Sequence, residues 1–304
     1  MRLPPDRQPA FRLRDLPLWL AIGLAWLLVR LPPQWLFQLG AGIGWLADHV
    51  ARARAHIADV NLALCFPELD AAARRELRRR TFRAYGIAFA ETALAWLGPV
   101  APLAARTRIE GLEHVRAAQA RGKGVLLLGA HFSTLDLAGA LLATALVLDI
   151  TYRRNANPAI EWLMRHGRTR CYAGVHERSD VRAAIRSLRE GRVLWYAADQ
   201  DYGRRHSVFA PFFGVPAATI TAATRFAAAG QAEVLFFSHF RDESPWGWRL
   251  SIQPLPSGYP TGDTVQDATT LNAHIEAQVR HDPAQYLWLH RRFKTRPAGE
   301  VRPY

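Results

Sequence analysis

The run Gly124-Val-Leu-Leu-Leu-Gly-Ala-His131-Phe-Ser-Thr-Leu-Asp136 reads as a strand feeding a helix. Residues 125–128 are branched and apolar with no polar alternation, the pattern of a strand buried on both faces of a parallel sheet. Glycine at 129 opens a turn, and His131 is left at the C-terminal edge of the strand. That edge is where open α/β sheets bind their ligands. The periodicity predicts a helix over 134–145, with Asp136 near its start.

Outward from this stretch, strand and helix signals alternate. Strands are expected at 150–152, 193–197, 234–240 and 249–252, and helices at 158–168, 181–189, 219–229 and 265–279. Residues 70–96 form a longer helical pattern with arginines at 74, 75, 78, 79, 80 and 83, a solvated face or one lying against anionic lipid. Residues 244–247 read as a hairpin turn and 254–263 as a loop. The fold class expected is α/β: a mixed, largely parallel central sheet flanked by helices. No internal repeat or low-complexity tract interrupts it.

The N-terminus is different in kind. Residues 16–29 are an uninterrupted apolar run containing Trp19 and Trp26, preceded by Arg2, Arg7, Arg12 and Arg14. A second apolar stretch, 35–46, follows Arg30 and the Pro32-Pro33 break. The first run falls short of the ~20 apolar residues of a spanning helix, and no small-residue cleavage site marks a signal peptide. A short span, a re-entrant or interfacial pair of helices and a buried soluble hairpin all remain open. Tryptophans beside arginines favour a headgroup layer, so an N-terminal apolar membrane-associating helical segment is expected. Residues 1–48 are taken as that anchoring segment and 49–304 as the catalytic domain.

Composition narrows the partners. The 304 residues carry a formal net charge of +13, and half are hydrophobic, which excludes wholesale disorder. Only Lys123 and Lys294 are lysines, so the positive charge is almost all arginine, a bidentate binder of phosphate and carboxylate. The partners implied are anionic: nucleic acid, acidic protein or phospholipid headgroups. Cys65 and Cys171 have no metal-ligand spacing and read as reduced thiols.

His131 and Asp136 are the candidate chemistry. On one continuous helix, five residues would set them about 140° apart. They converge only with His131 in the turn before the helix and Asp136 in its first turn. Asp136 would then fix the imidazole tautomer while the other ring nitrogen takes a proton from a hydroxyl, worth ~10²–10⁴-fold. The competing reading is that Ser133-Thr-Leu-Asp136 is a capping box.

His-x₄-Asp after a buried strand resembles the signature of the glycerolipid and lipid A acyltransferases. Further blocks resemble the late acyltransferases of lipid A biosynthesis, of the lauroyl/myristoyl type. They are Asn61-Leu-Ala-Leu-Cys-Phe-Pro-Glu68, Tyr152-Arg-Arg-Asn-Ala-Asn-Pro158, and Trp195-Tyr-Ala-Ala-Asp-Gln-Asp-Tyr-Gly203. Ser207-Val-Phe-Ala-Pro-Phe-Phe-Gly214 and Gln285-Tyr-Leu-Trp-Leu-His-Arg-Arg-Phe-Lys-Thr-Arg-Pro297 complete the set. The glycerolipid branch's Phe-Pro-Glu-Gly-Thr block is missing downstream of the histidine.

The resemblance implies an O-acyltransferase that moves a fatty acyl chain from an acyl-thioester to a hydroxyl of a lipid A precursor. His131 and Asp136 would be its catalytic dyad. Arg168, which closes Trp162-Leu-Met-Arg-His-Gly-Arg168, suits a substrate phosphate, and Asp199 sits at the same sheet edge, where it would orient a donor group. Arg153 lies in a substrate-binding block, and Arg154 replaces the family's usual proline. Acyl carrier protein is the implied donor and an anionic lipid the acceptor. The place implied is the bacterial inner membrane with the site facing the cytoplasm. No metal or other cofactor is implied, and no nucleic-acid fold signature accompanies the basic block at 289–296. A glycerolipid or aminolipid acceptor, and a basic membrane-surface or nucleic-acid-binding protein with a degenerate site, remain the rival readings.

Overall fold

The computed structural model describes residues 15–243 and 246–304. The arginines at 2, 7, 12 and 14 and the tip of the expected 244–247 turn lie outside them. The described chain opens with α1 (Leu16–Leu28), α2 (Pro33–Val50), α3 (Arg52–Cys65) and α4 (Ala71–Leu97). A short α5 (Ala101–Ala104) leads to β1 (Thr107–Glu110), α6 (Leu112–Ala120), β2 (Val125–Gly129), α7 (Leu135–Leu142) and β3 (Leu148–Tyr152). Then come α8 (Pro158–Thr169), β4 (Gly174–Glu177), α9 (Val181–Arg189) and β5 (Val193–Ala197). A hairpin of β6 (Ser207–Phe212) and β7 (Val215–Ile220) precedes α10 (Ala222–Gly230), β8 (Glu233–Glu243), β9 (Trp246–Pro254) and α11 (Thr264–His281).

Seven strands form one sheet in the order β1-β9-β8-β2-β5-β3-β4. Every neighbouring pair is parallel except β8 and β9. The strand that opened the argument, β2, lies between β5 and β8 and is buried at every position. Its side chains alternate between two cores, as the pleat demands. Leu126 and Leu128 join α3, α9, α10, α11 and the C-terminal segment, whereas Val125 and Leu127 join α2, α4, α6 and α7.

The hairpin corrects one sequence expectation. Thr219 and Ile220 belong to β7 rather than to a helix starting at 219, and α10 begins at Ala222. Inside the hairpin, Thr219 Oγ1 accepts from Asn272 Nδ2 and from an Arg292 Nη, at 3.0 and 3.2 Å. Phe213 and Gly214 both take positive φ at the two-residue turn, as a primed hairpin turn requires. A phenylalanine bears that conformation because its ring packs against Phe66 and its N–H donates to Glu276 at 2.7 Å.

At the N-terminus, α2 lies against α4 with almost no side-chain padding. A Cβ added to Gly86 would stand 2.2 Å from the Gly40 carbonyl oxygen and 2.5 Å from the Gly44 nitrogen. Small residues permit such backbone approach between helices. The opposite face of α2 turns outward: Trp35, Leu39, Ile43, Leu46 and Val50, at helical spacing, are all exposed. In α1, Leu16, Leu20, Leu24 and Leu27 are likewise exposed. No helix among the described residues is long and apolar enough to cross a membrane. Deeper in, α4 is tied to the sheet by a buried ion pair, Arg241 with Glu91 at 2.9 Å, and by the Trp248 indole N–H donating to Glu91 at 2.8 Å.

Candidate active site

The C-terminal ends of β2 and β5 build the centre of the site. Gly129 and Ala197 are register partners, and the Ala198 N–H donates to the Gly129 carbonyl at 3.0 Å. Two residues past each strand end come His131 and Asp199. The register therefore delivers them to the same place. His131 Nδ1 lies 2.5 Å from Asp199 Oδ1, and the His131 backbone N–H donates to Asp199 Oδ2 at 3.0 Å. One carboxylate thus grips both the ring and the backbone of the histidine.

This overturns the expected geometry of the pair. His131 does occupy the turn and Asp136 the first turn of α7, but the imidazole's hydrogen-bond partner is Asp199. Asp136 turns to α8 and α4 instead. Its Oδ1 accepts from Arg168 Nε at 3.1 Å and Nη2 at 2.8 Å, and from the Trp96 indole N–H at 3.2 Å. Neither is Asp136 a helix cap: Thr134 is the N-cap residue of α7, without a side-chain capping bond. Arg168 Nη1 has no protein hydrogen-bond partner among the described residues, although the residue lines the cavity described below.

The electrostatics follow from burial and pairing. Burial alone would lower the His131 pKa, but the adjacent Asp199 charge and the bond to it reverse this, and the net shift is upward from 6.5. Burial would raise Asp199, yet His131 holds it down at about 2. Asp199 is thus a carboxylate near neutral pH and can only accept, so Nδ1 carries the proton and Nε2 is left for chemistry. Beneath the turn, His239 on β8 is fully buried, its Nδ1 2.7 Å from Thr134 Oγ1. Burial, with the His131 charge nearby, pushes its pKa down to about 3 and keeps it neutral.

His131 and Asp136 border a cavity of about 920 Å³ that also receives Arg153 and Arg168. Ile150, Met164, Ile185, Trp195, Phe226 and Ala229 supply apolar wall. Because α10 runs into β8 and lies antiparallel to the strands, Ala229 is deeper than Ala222 by about 10 Å at 1.5 Å per residue. The expected site residues therefore meet in one place, with Arg153 exposed at its border.

Two further tyrosines were not anticipated. The Tyr85 hydroxyl donates to the His131 carbonyl at 2.9 Å, and Tyr286 sits by Asp199, with burial pushing its pKa far upward. Tyr286 lies within the quoted 285–297 block, whereas Tyr85 is one aromatic among many on an amphipathic helix and carries no sequence signal of its own.

An imidazole backed by a carboxylate, with its free nitrogen by an apolar cavity and an arginine alongside, is suited to deprotonating a hydroxyl beside a long-chain substrate. The sequence as a whole also resembles known proteins. The model of the bacterial lipid A biosynthesis acyltransferase family matches residues 5–295. The chain is 40% identical to the lipid A biosynthesis lauroyltransferase of Escherichia coli K12, over 92% of each chain. It is 38% identical to the palmitoleoyltransferase of the same strain over 94% of each chain. To that strain's myristoyltransferase it is 28% identical, over 94% of this chain and 89% of the relative. On the family match and these identities, the chain belongs to the bacterial lipid A biosynthesis acyltransferases.

Proposed function

We propose that this acyltransferase takes a fatty acyl group from an acyl-carrier-protein thioester and transfers it to a hydroxyl of a lipid A precursor. The observation that carries the reading is the His131–Asp199 pair at a largely apolar cavity large enough for a long chain. In this mechanism His131 Nε2 removes the hydroxyl proton as the oxygen attacks the thioester carbonyl. The imidazolium that forms is stabilised by Asp199, which also keeps the ring oriented. When the tetrahedral intermediate collapses, the carbon–sulfur bond breaks and the thiolate takes the proton from His131. Asp136 positions Arg168, whose free Nη1 donates to an anionic oxygen of the substrates. Such charge-assisted donors act strongly where water is excluded.

The donor chain extends along the apolar wall between α9 and α10, each buried methylene contributing ~0.8 kcal/mol. The exposed apolar stripes of α1 and α2 lie in the membrane interface, on the cytoplasmic face of the inner membrane where an acyl carrier protein is available. Apolar helix faces of this kind embed about 5–10 Å into the headgroup boundary.

The test is acyl transfer from carrier-protein thioesters to a tetra-acylated lipid A precursor by wild type and His131→Ala. Turnover that falls by two or more orders of magnitude in the variant supports both reaction and base. Equal turnover removes His131 as the base, and no turnover by either protein shifts the reading to another lipid acceptor.

A further inference from the structure

A second cavity, about 400 Å³, lies between α2, α4 and residues 287–290. It shares no lining residue with the first, and its size falls in the roughly 300–1,000 Å³ range of ligand sites. Ile43, Ala47, Phe82, Phe89, Leu287 and Leu289 make it apolar.

Its two ends differ. At one, Ile43 and Phe89 are 49% and 70% exposed, and Ile43 is a member of the outward stripe of α2. The cavity thus opens on the same apolar surface that the stripe presents. At the other end stand Tyr85 and His290. Tyr85 donates to the His131 carbonyl. His290 Nε2 is buried without a partner, and burial holds the ring neutral, its pKa pushed down to about 4 within reach of the Asp199 and His131 charges. Arg54, donating to the Leu289 carbonyl at 3.1 Å, adds a cation to the lining.

We infer that this cleft holds an alkyl chain of the lipid acceptor, running from the bilayer-facing stripe to the His131 turn. The inference rests on the lipid-acceptor reading above and adds where the acceptor's tail lies. A soluble ligand does not fit a mouth framed by exposed isoleucine and phenylalanine. A bulk phospholipid has no reason to be led to the catalytic turn, whereas an acceptor must bring its hydroxyl there. The donor and acceptor chains then occupy separate cavities, and neither must leave before the other arrives.

Ala47→Phe would fill the cleft. Each methylene kept out of an apolar site costs about fourfold in affinity, so the KM for a tetra-acylated acceptor should rise at least tenfold. The KM for the thioester and partitioning onto phosphatidylethanolamine/phosphatidylglycerol vesicles should not change. An unchanged acceptor KM, or a parallel loss of vesicle binding, overturns the assignment. A second measurement uses the wild-type enzyme and an acceptor carrying a diazirine in one acyl chain. Crosslinks at Phe89, Leu287 or Leu289 that survive excess phosphatidylglycerol support the inference. Crosslinks confined to the first cavity, or abolished by phosphatidylglycerol, overturn it. Turnover without labelling in the cleft defeats this inference alone, while neither turnover nor labelling defeats the acceptor reading beneath it.

Discussion

His131 and Asp199 stand at equivalent positions beyond adjacent parallel strands, each two residues past a register partner, Gly129 or Ala197. Their contact is a property of the sheet rather than of local chain geometry. Asp136, only five residues from His131, accepts from Arg168 and Trp96 instead of from the ring. The two carboxylates should therefore respond differently to substitution.

Asp199→Asn leaves one acceptor oxygen where two N–H groups of His131 need one each, and removes the charge that stabilises the imidazolium. A loss in kcat of about 10²-fold or more is expected, within the general-base contribution of ~10²–10⁴. Asp136→Asn leaves the ring's bond intact and loosens Arg168, so its effect should fall mainly on KM. Steady-state kinetics with both substrates varied checks the split, and equal kcat losses would contradict it.

The pH profile carries its own sign. A general base works when neutral, so kcat/KM should rise with pH through the His131 pKa, at an inflection above 6.5 because Asp199 favours the protonated ring. In Asp199→Asn burial is left as the leading influence, and the inflection should move to the acid side of the wild-type value. The same upward shift contributes folding stability that is complete below 6.5 and is lost as pH rises through the folded pKa.

His239 makes the opposite contribution. Its pKa falls to about 3 in the fold, so the unfolded chain binds a proton there first. Stability from this group is complete above 6.5 and drains as pH falls towards 3. His239→Phe should flatten that part of the acid denaturation curve. At neutral pH it should also cost roughly 1–3 kcal/mol, because Thr134 Oγ1 is left buried without its partner. Thermal melts across pH read both effects.

Ala229→Phe, deep in the larger cavity, should shorten the acyl chain preferred without altering the pH inflection. Competition between thioesters of graded length measures this. A preference unmoved by the substitution would place the donor chain elsewhere.

Gly86→Ala tests the packing of α2. The new methyl would meet backbone at 2.2 Å, which no side-chain rotation relieves. Overpacking of this kind costs about 1–3 kcal/mol, occasionally more. Faster proteolysis between α2 and α3 is the expected readout.

Much of this architecture is legible in the chain. Apolar runs at 125–128 and 193–197 announce buried parallel strands, and their ends place His131 and Asp199 on one edge. Strand order is not written there, because β2 and β5 become neighbours only after β3 and β4 are threaded outside them. Proximity in sequence therefore favoured Asp136 as the partner. The β6–β7 hairpin was hidden for another reason: its turn uses Phe213 at positive φ, where sequence reasoning looks for asparagine or glycine. The short edge strands β1 and β4 carry too few apolar residues to stand out.

The glycine seam between α2 and α4 has a mechanical meaning. Side chains bend, but Gly40, Gly44 and Gly86 join the two helices backbone to backbone, and the residue next to Gly86 is the tyrosine that holds the His131 carbonyl. The stripe on α2 and the catalytic turn are thus mounted on one stiff bracket. In the membrane-interface reading proposed above, that bracket sets the enzyme's draught. In that reading the hydroxyl within reach is selected by depth as well as by chemistry, and added bulk at Gly86 lets the waterline drift.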